Sequence, residues 1–342
     1  MPRGHRPFSN WETVRYELLS SRISELGLSP SSPLLDPYIR QMYRDLAAKK
    51  LRFRPRVYLS DSWGCPDQVP VIGIPFYLAD ERLARIEEEQ TGEVEDPATI
   101  LMLLRHEAAH AYNYAYRLWE RKEWAETFGS FSQPYRDVFQ PNPRSRSFVQ
   151  HITTQQYGAT YAQKHPDEDF AETFAVVLTP RSGWRKKYGR WPVARKLKLV
   201  ERLMKEIGSR PPLVRDGKLE RPVESLTITV AEHYGERAER YRAAAQGYVD
   251  NRLREVFPPV SGKSLPLAEV LRKHRPKLVG GMVRWSALRE EDAEAIFTKL
   301  EERAEALGLQ FPATKREEAL MSLASLATAV ALDYAYTGQL LS

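Results

Sequence analysis

The apolar positions of the chain fall first into helical spacing. Trp11, Val14, Leu18, Leu19, Ile23 and Leu26 recur every three or four residues, which predicts helix from residue 11 to about residue 50. Ser29-Pro30-Ser31-Ser32-Pro33 breaks that run, and a second helix starts near Pro37 with Tyr38, Met42 and Leu46 on one side. The period then changes. Phe53, Val57 and Leu59 alternate with polar neighbours, and Val69 to Leu78 is short, apolar and β-prone, so two or three strands are expected across residues 52–79. Pro70 and Pro75 put the second run at a sheet edge. Such an edge is either a plain boundary or a place where unpaired backbone groups hold an extended peptide.

Helical spacing returns at residue 97. Asp96-Pro97 supplies an N-cap and a first-turn proline, and Ile100, Leu103, Leu104, Ala108 and Ala111 form the buried stripe of a helix running to about Trp119. Residues 126–150 are rich in proline, serine, asparagine and aromatics (Phe128, Phe131, Tyr135 and Phe139 among them). They are too long for a plain connector and are expected to wall a cleft. Another helix begins at Pro166 with Phe170, Phe174, Val177 and Leu178 as its buried stripe, and a further one runs from about Val193 to Ile207. Pro211-Pro212 and Asp216-Gly217 mark a boundary across residues 208–222. Beyond it the chain reads as helical to the end, broken near Pro258-Pro259, Gly280-Gly281 and Gly308 to Pro312, with Ala319 to Ala335 as a buried small-residue helix. The expected organisation is an N-terminal helical segment (1–50), a central domain (51–210) and a helical C-terminal domain (222–342). The fold class is α+β, mainly helical, with a small edge-stranded β-sheet.

Two of these helices carry chemistry. His106 and His110, four residues apart, project from one helix face one turn from each other. There they can offer imidazole nitrogens to one zinc ion, with Glu107 beside the first ligand to handle protons. On the later helix Glu168 and Glu172 share a face. Two carboxylates on the buried side repel each other and need a compensating charge, which a metal supplies. His165 and His151 compete with Glu168 for the third ligand position.

His106-Glu107-x-x-His110 followed by Glu168-Asp169-Phe170-Ala171-Glu172-x-Phe174-Ala175 resembles the gluzincin metallopeptidases. Within that clan it looks most like the bacterial zinc-binding metallopeptidases and the anthrax lethal factor type of catalytic domain. The pattern Glu168-x-x-Ala171-x-x-Phe174-Ala175-x-x-Leu178-x-Pro180 is also similar to the phage-repressor-cleaving ImmA/IrrE peptidases, which usually have a shorter gap after the second histidine. The resemblance covers roughly residues 50–200. It implies a zincin-like domain with Zn2+ held by His106, His110 and Glu168, and Glu172 orienting a ligand histidine. It also implies a tyrosine seven residues before the ligand glutamate, Tyr161, donating to the oxyanion, with Tyr157 as its fallback. A peptide bond would then be hydrolysed by a zinc-activated water, with Glu107 as general base.

Composition changes this picture little. With 42% apolar and 28% charged residues over 342 positions, the chain reads as a soluble globular protein with room for a core. No apolar run approaches bilayer length, and Met1 to Asn10 lacks the apolar stretch of a secretory signal. The single cysteine, Cys65, suits a reducing cytoplasm and reads as an inert thiol. A net charge of +6 permits nucleic-acid contact without indicating it, since Arg52 to Arg56 and Arg185 to Arg195 read as solvated faces. The expected partner is a peptide or protein substrate. Two rival readings stand beside the peptidase: a zincin-fold regulatory or binding protein, and a hydrolase of a non-peptide amide.

Overall fold

The computed structural model describes residues 11–135, 142, 144–152, 158–237, 250, 252–254, 256–257, 264–286 and 288–337. The expected break at Pro258-Pro259, the fallback residue Tyr157 and the cleft-wall residue Phe139 lie outside these described residues. The chain divides into two compact units, the first ending at Tyr234 and the second beginning at Gly235.

In the first unit, α1 (Trp11–Ser20) and α2 (Asp36–Ala48) precede β1 (Arg56–Ser60) and β2 (Val71–Pro75). Then come α3 (Glu81–Thr91), α4 (Pro97–Tyr116), α5 (Lys122–Phe128), α6 (Pro166–Leu178), α7 (Trp184–Tyr188) and α8 (Ala194–Ile207). The first apolar run is shorter than its spacing predicts: α1 stops at Ser20, and Ile23–Glu25 forms a separate 3-10 turn. Backbone bonds from Ile23 and Ser24 to Ile228 and Leu226 bind that turn to the end of the unit and outcompete helix continuation. Leu18, Ile23, Leu35, Ile39, Met42 and Leu46 join the same core as α4, α6 and α8.

β1 and β2 pair in parallel, from Arg56 with Val71 to Ser60 with Pro75. The expected second strand is halved, because Phe76–Ala79 turns into a 3-10 helix after Pro75. All five β2 residues are buried. On its other side Gly73 forms an antiparallel bridge with Gly64, through N–H···O bonds of 2.8 and 3.3 Å. At Gly73, therefore, the edge that could have held a peptide is taken by the chain's own turn.

The two chemistry-bearing helices begin as their sequences predict. The Asp96 side chain accepts from the Thr99 N–H ahead of Pro97. The His165 ring caps α6 by accepting from the Asp167 N–H ahead of Pro166. Helix α6 packs against both α4 and α8. The first contact is aromatic, with Tyr112 on Phe174 at 5.4 Å between ring centres. Helix α2 is fastened to α4 by charge. Arg105 donates to Asp45 Oδ2 through Nε and Nη2 at 2.9 and 2.6 Å, and Gln41 donates to Asp45 Oδ1 at 2.8 Å.

The second unit contains helices Leu267–Ser286, Glu290–Ala306 and Arg316–Thr337, around a core that includes Leu271, Met282, Phe297, Leu300, Leu323 and Ala327. It is not helical throughout. Ser264–Pro266 and Gln310–Pro312 form a short antiparallel pair, a device that the proline-bounded break near residue 312 did not predict. Nor do Gly280 and Gly281 break the helix, which runs through both. Each glycine costs about 1 kcal/mol relative to alanine, and the buried stripe of Leu278, Val279 and Met282 outweighs that. Ala319 to Ala335 is helical with one face buried and the other exposed, Met321 included. Among the described residues no helix is long and apolar enough to cross a membrane.

The Arg105–Asp45 pair sits one residue before His106, and the Asp45 side chain is only 2% exposed. Removing one member of a buried pair strands the other charge, at about 3–5 kcal/mol. Arg105→Met should lower the unfolding free energy by that much in urea titration. Arg85→Met, which breaks the half-exposed Arg85–Glu89 pair, should cost no more than ~1 kcal/mol. Equal losses would show that the buried pair does not anchor α2.

Candidate metal centre

Helices α4 and α6 bring three donor atoms together. His106 Nε2 lies 3.0 Å from Glu168 Oε2, His110 Nε2 3.3 Å from the same oxygen, and the two Nε2 atoms are 3.1 Å apart. Among the described residues, His106, His110 and Glu168 are the one group whose donor atoms converge closely enough to hold a metal ion, and all three are buried. Tetrahedral zinc with bonds of roughly 2.0–2.1 Å spaces its donors about 3.3 Å apart. The observed triangle fits that spacing with little adjustment.

Each imidazole is aimed by a carboxylate behind it. Glu172 Oε1 lies 2.9 Å from His106 Nδ1, and Asp167 Oδ2 lies 2.9 Å from His110 Nδ1. With Nδ1–H donated to a carboxylate, the Nε2 lone pair is free for a metal. The carboxylates are held in turn. Glu172 Oε2 accepts the backbone N–H groups of His151 and Ile152 at 3.0 and 2.9 Å. Asp167 accepts from Asn113 Nδ2 at 2.6 Å and from the Tyr114 hydroxyl at 2.7 Å.

The sequence reading named Glu172 but missed Asp167, Asn113 and Tyr114. A signal was present: Asn113 and Tyr114 lie three and four residues after His110, on its own face of the helix, and Asp167 directly precedes Glu168. The competing histidines are committed elsewhere. His165 uses Nδ1 for the helix cap and Nε2 for the Gln133 carbonyl at 2.8 Å. His151 places Nε2 on the Met102 carbonyl at 3.2 Å.

Glu107 is buried beside this group. Burial raises its carboxyl above the ordinary value, against the pull of His106 and His110. The Tyr161 ring meets the His106 ring edge-on at 5.6 Å between centres. Cys65 donates through Sγ to the Glu107 carbonyl at 3.3 Å. Burial and the Glu107 and Asp167 charges push its thiol well up, which keeps it protonated and unreactive.

The charges interlock. Burial pulls the His106 pKa down, but hydrogen bonds to Glu168 and Glu172 outweigh it and raise it to about 9. His110 is raised in the same way by Asp167 and Glu168. Burial raises Glu168, but the two imidazoles hold it well below the usual carboxylate range. A raised histidine stabilises the fold below its unfolded value, near 6.5, and that contribution is lost as pH climbs through about 9. A depressed glutamate stabilises above about 4.5, and that contribution is lost as pH falls through its folded value. The metal-stripped protein should thus lose melting temperature between pH 6.5 and 9. Zinc takes the place of those protons, so the gain in melting temperature on adding zinc should be larger at pH 9 than at pH 6. An equal gain at both pH values would contradict this charge balance.

The chain matches no curated protein and no solved structure. Residues 70–182, which contain His106, Glu107, His110, Glu168 and both orienting carboxylates, match the sequence model of the family described as "Putative zinc-binding metallo-peptidase".

Proposed function

We propose that this protein is a zinc-dependent metallopeptidase of the gluzincin type, acting on a peptide or protein. The observation that carries the reading is the buried triangle of His106, His110 and Glu168, with Glu107 beside it outside the donor set. Three protein donors leave a fourth position for water or substrate, which distinguishes a catalytic from a structural zinc site. The single cysteine, kept as a thiol, suits action in a reducing cytoplasm.

Bound zinc would supply Lewis acidity, making a nucleophile of water near neutral pH and polarising the scissile carbonyl. The rest of the work falls to side chains. Glu172 and Asp167 keep Nδ1 of the two imidazoles protonated, so that Nε2 faces the ion. Glu107 takes the proton of the attacking water and passes it to the leaving amine, a role that its raised carboxyl pKa favours. Tyr161, against the face of the centre formed by His106, donates a hydrogen bond to the developing oxyanion.

Glu107→Gln should reduce hydrolysis of a peptide library ~10²–10⁴-fold, the usual weight of a general base, while zinc content stays near one per chain. Retained hydrolysis in that variant would remove Glu107 from the mechanism. A wild-type protein that binds zinc but cleaves nothing in the library would favour a zincin-fold binding protein instead. Asp167→Asn and Glu172→Gln should each weaken zinc binding ~10–100-fold in chelator competition, since each releases one ligand histidine. Unchanged affinity in both would show that the imidazoles orient themselves.

A further inference from the structure

Behind the metal centre, Glu172 is held by a segment that neither motif marks. Residues 146–152 form a strap whose first bonds reach α7, α8 and the residue before α8. The Arg146 carbonyl accepts from the Val193 N–H at 3.2 Å. Lys196 Nζ donates to the Ser147 carbonyl at 2.7 Å, and the Gln150 N–H donates to the Tyr188 hydroxyl at 3.2 Å. Val149 and Ile152 are buried. His151 ties the strap to α4 instead, with its ring Nε2 3.2 Å from the Met102 carbonyl. A carbonyl oxygen only accepts, so Nε2 carries the proton. Burial lowers the pKa of this ring, so the donor is the neutral imidazole.

That tie bears on the metal centre through both helices. The backbone N–H groups of His151 and Ile152 both end on Glu172 Oε2, at 3.0 and 2.9 Å, and Glu172 Oε1 lies 2.9 Å from His106 Nδ1. Met102 stands four residues before His106, so within α4 its carbonyl is also the acceptor for the His106 N–H. A ring of contacts is thereby closed: Met102 on α4, the strap, Glu172 on α6, and His106 on α4 again. The torsion that turns a glutamate carboxylate is broad and roughly two-fold. Glu172 therefore takes its orientation from the pair of N–H groups, and that pair takes its position from the anchors of the strap. We propose that His151 is a positioning residue of this centre: by donating to the Met102 carbonyl it holds two backbone N–H groups on Glu172, which aims the His106 imidazole at the metal. The proposal rests on the reading of His106, His110 and Glu168 as zinc ligands.

His151→Gln keeps an N–H donor at the end of the side chain, and His151→Met is its unbranched apolar counterpart without one. His151→Met should weaken zinc binding about 10-fold in competition with a chromophoric chelator. It should also change the visible absorption of the cobalt(II)-loaded protein, which reports the geometry of the ligands. His151→Gln should stay near wild type in both readouts. Tyr116→Phe is the comparison, because it too removes a bond between α4 and a backbone carbonyl, that of Arg210. Any cost there should fall on the unfolding free energy, with zinc affinity and the cobalt spectrum unchanged. Wild-type affinity and spectrum in His151→Met, equal losses in His151→Met and His151→Gln, or a matching loss in Tyr116→Phe overturns the role assigned to His151 and leaves the ligand set standing. A wild-type protein that takes up no zinc overturns the ligand set, and the role of His151 with it.

Discussion

Buried charge between α4 and α6 is the constraint to which the first unit answers. Asp167, Glu168, Asp169 and Glu172 are all buried within the first two turns of α6. A helix N-terminus tolerates negative charge, but four carboxylates withdrawn from water also require partners. Helix α4 supplies His106 and His110, and α8 supplies Lys196, whose Nζ lies 2.6 Å from Asp169 Oδ2. Burial raises Asp169 to about 7 even against Lys196, a measure of how strongly this helix resists holding its charges. The packing of α6 against α4 and α8 is thus an electrostatic arrangement as well as an apolar one. A divalent ion among His106, His110 and Glu168 fits the same logic, since it neutralises charge that protons on the imidazoles would otherwise balance.

Much of this was legible in the sequence because helices leave periodic marks. The Asp96-Pro97 and His165-Pro166 starts, the apolar stripes of α4 and α6, and the same-face placement of His106 with His110 follow from spacing alone. The approach of the two helices does not. Nothing in the pattern of either says which neighbour it meets, and the Glu168 assignment needed a family resemblance. Asp167 was missed because an acidic residue in a first turn has an ordinary explanation, the helix dipole, that conceals a specific one.

Errors in the fold share a cause. Gly280-Gly281 and the run from Val69 to Leu78 were read from local preference, and in both cases packing decided. One helix continued because its buried side chains outweighed two glycines. One strand ended early because the chain turned into Phe76–Ala79, all of it buried. Local propensity is a weak prior wherever many apolar contacts depend on a single backbone choice.

The centre also divides its parts by the kind of backbone that carries them. The three donors, the two carboxylates behind the imidazoles, Asn113 and Tyr114 all stand on α4 and α6, packed helices whose side chains have little freedom to shift. The flanking Tyr161 does not. It belongs to the 3-10 turn Gly158–Gln163, its ring against that of His106. Metal geometry demands tolerances of a few tenths of an ångström, which side chains on packed helices meet more readily than side chains on irregular turns. Rigid helices thus carry the donors and the carboxylates behind them, and an irregular turn carries the tyrosine whose ring meets His106.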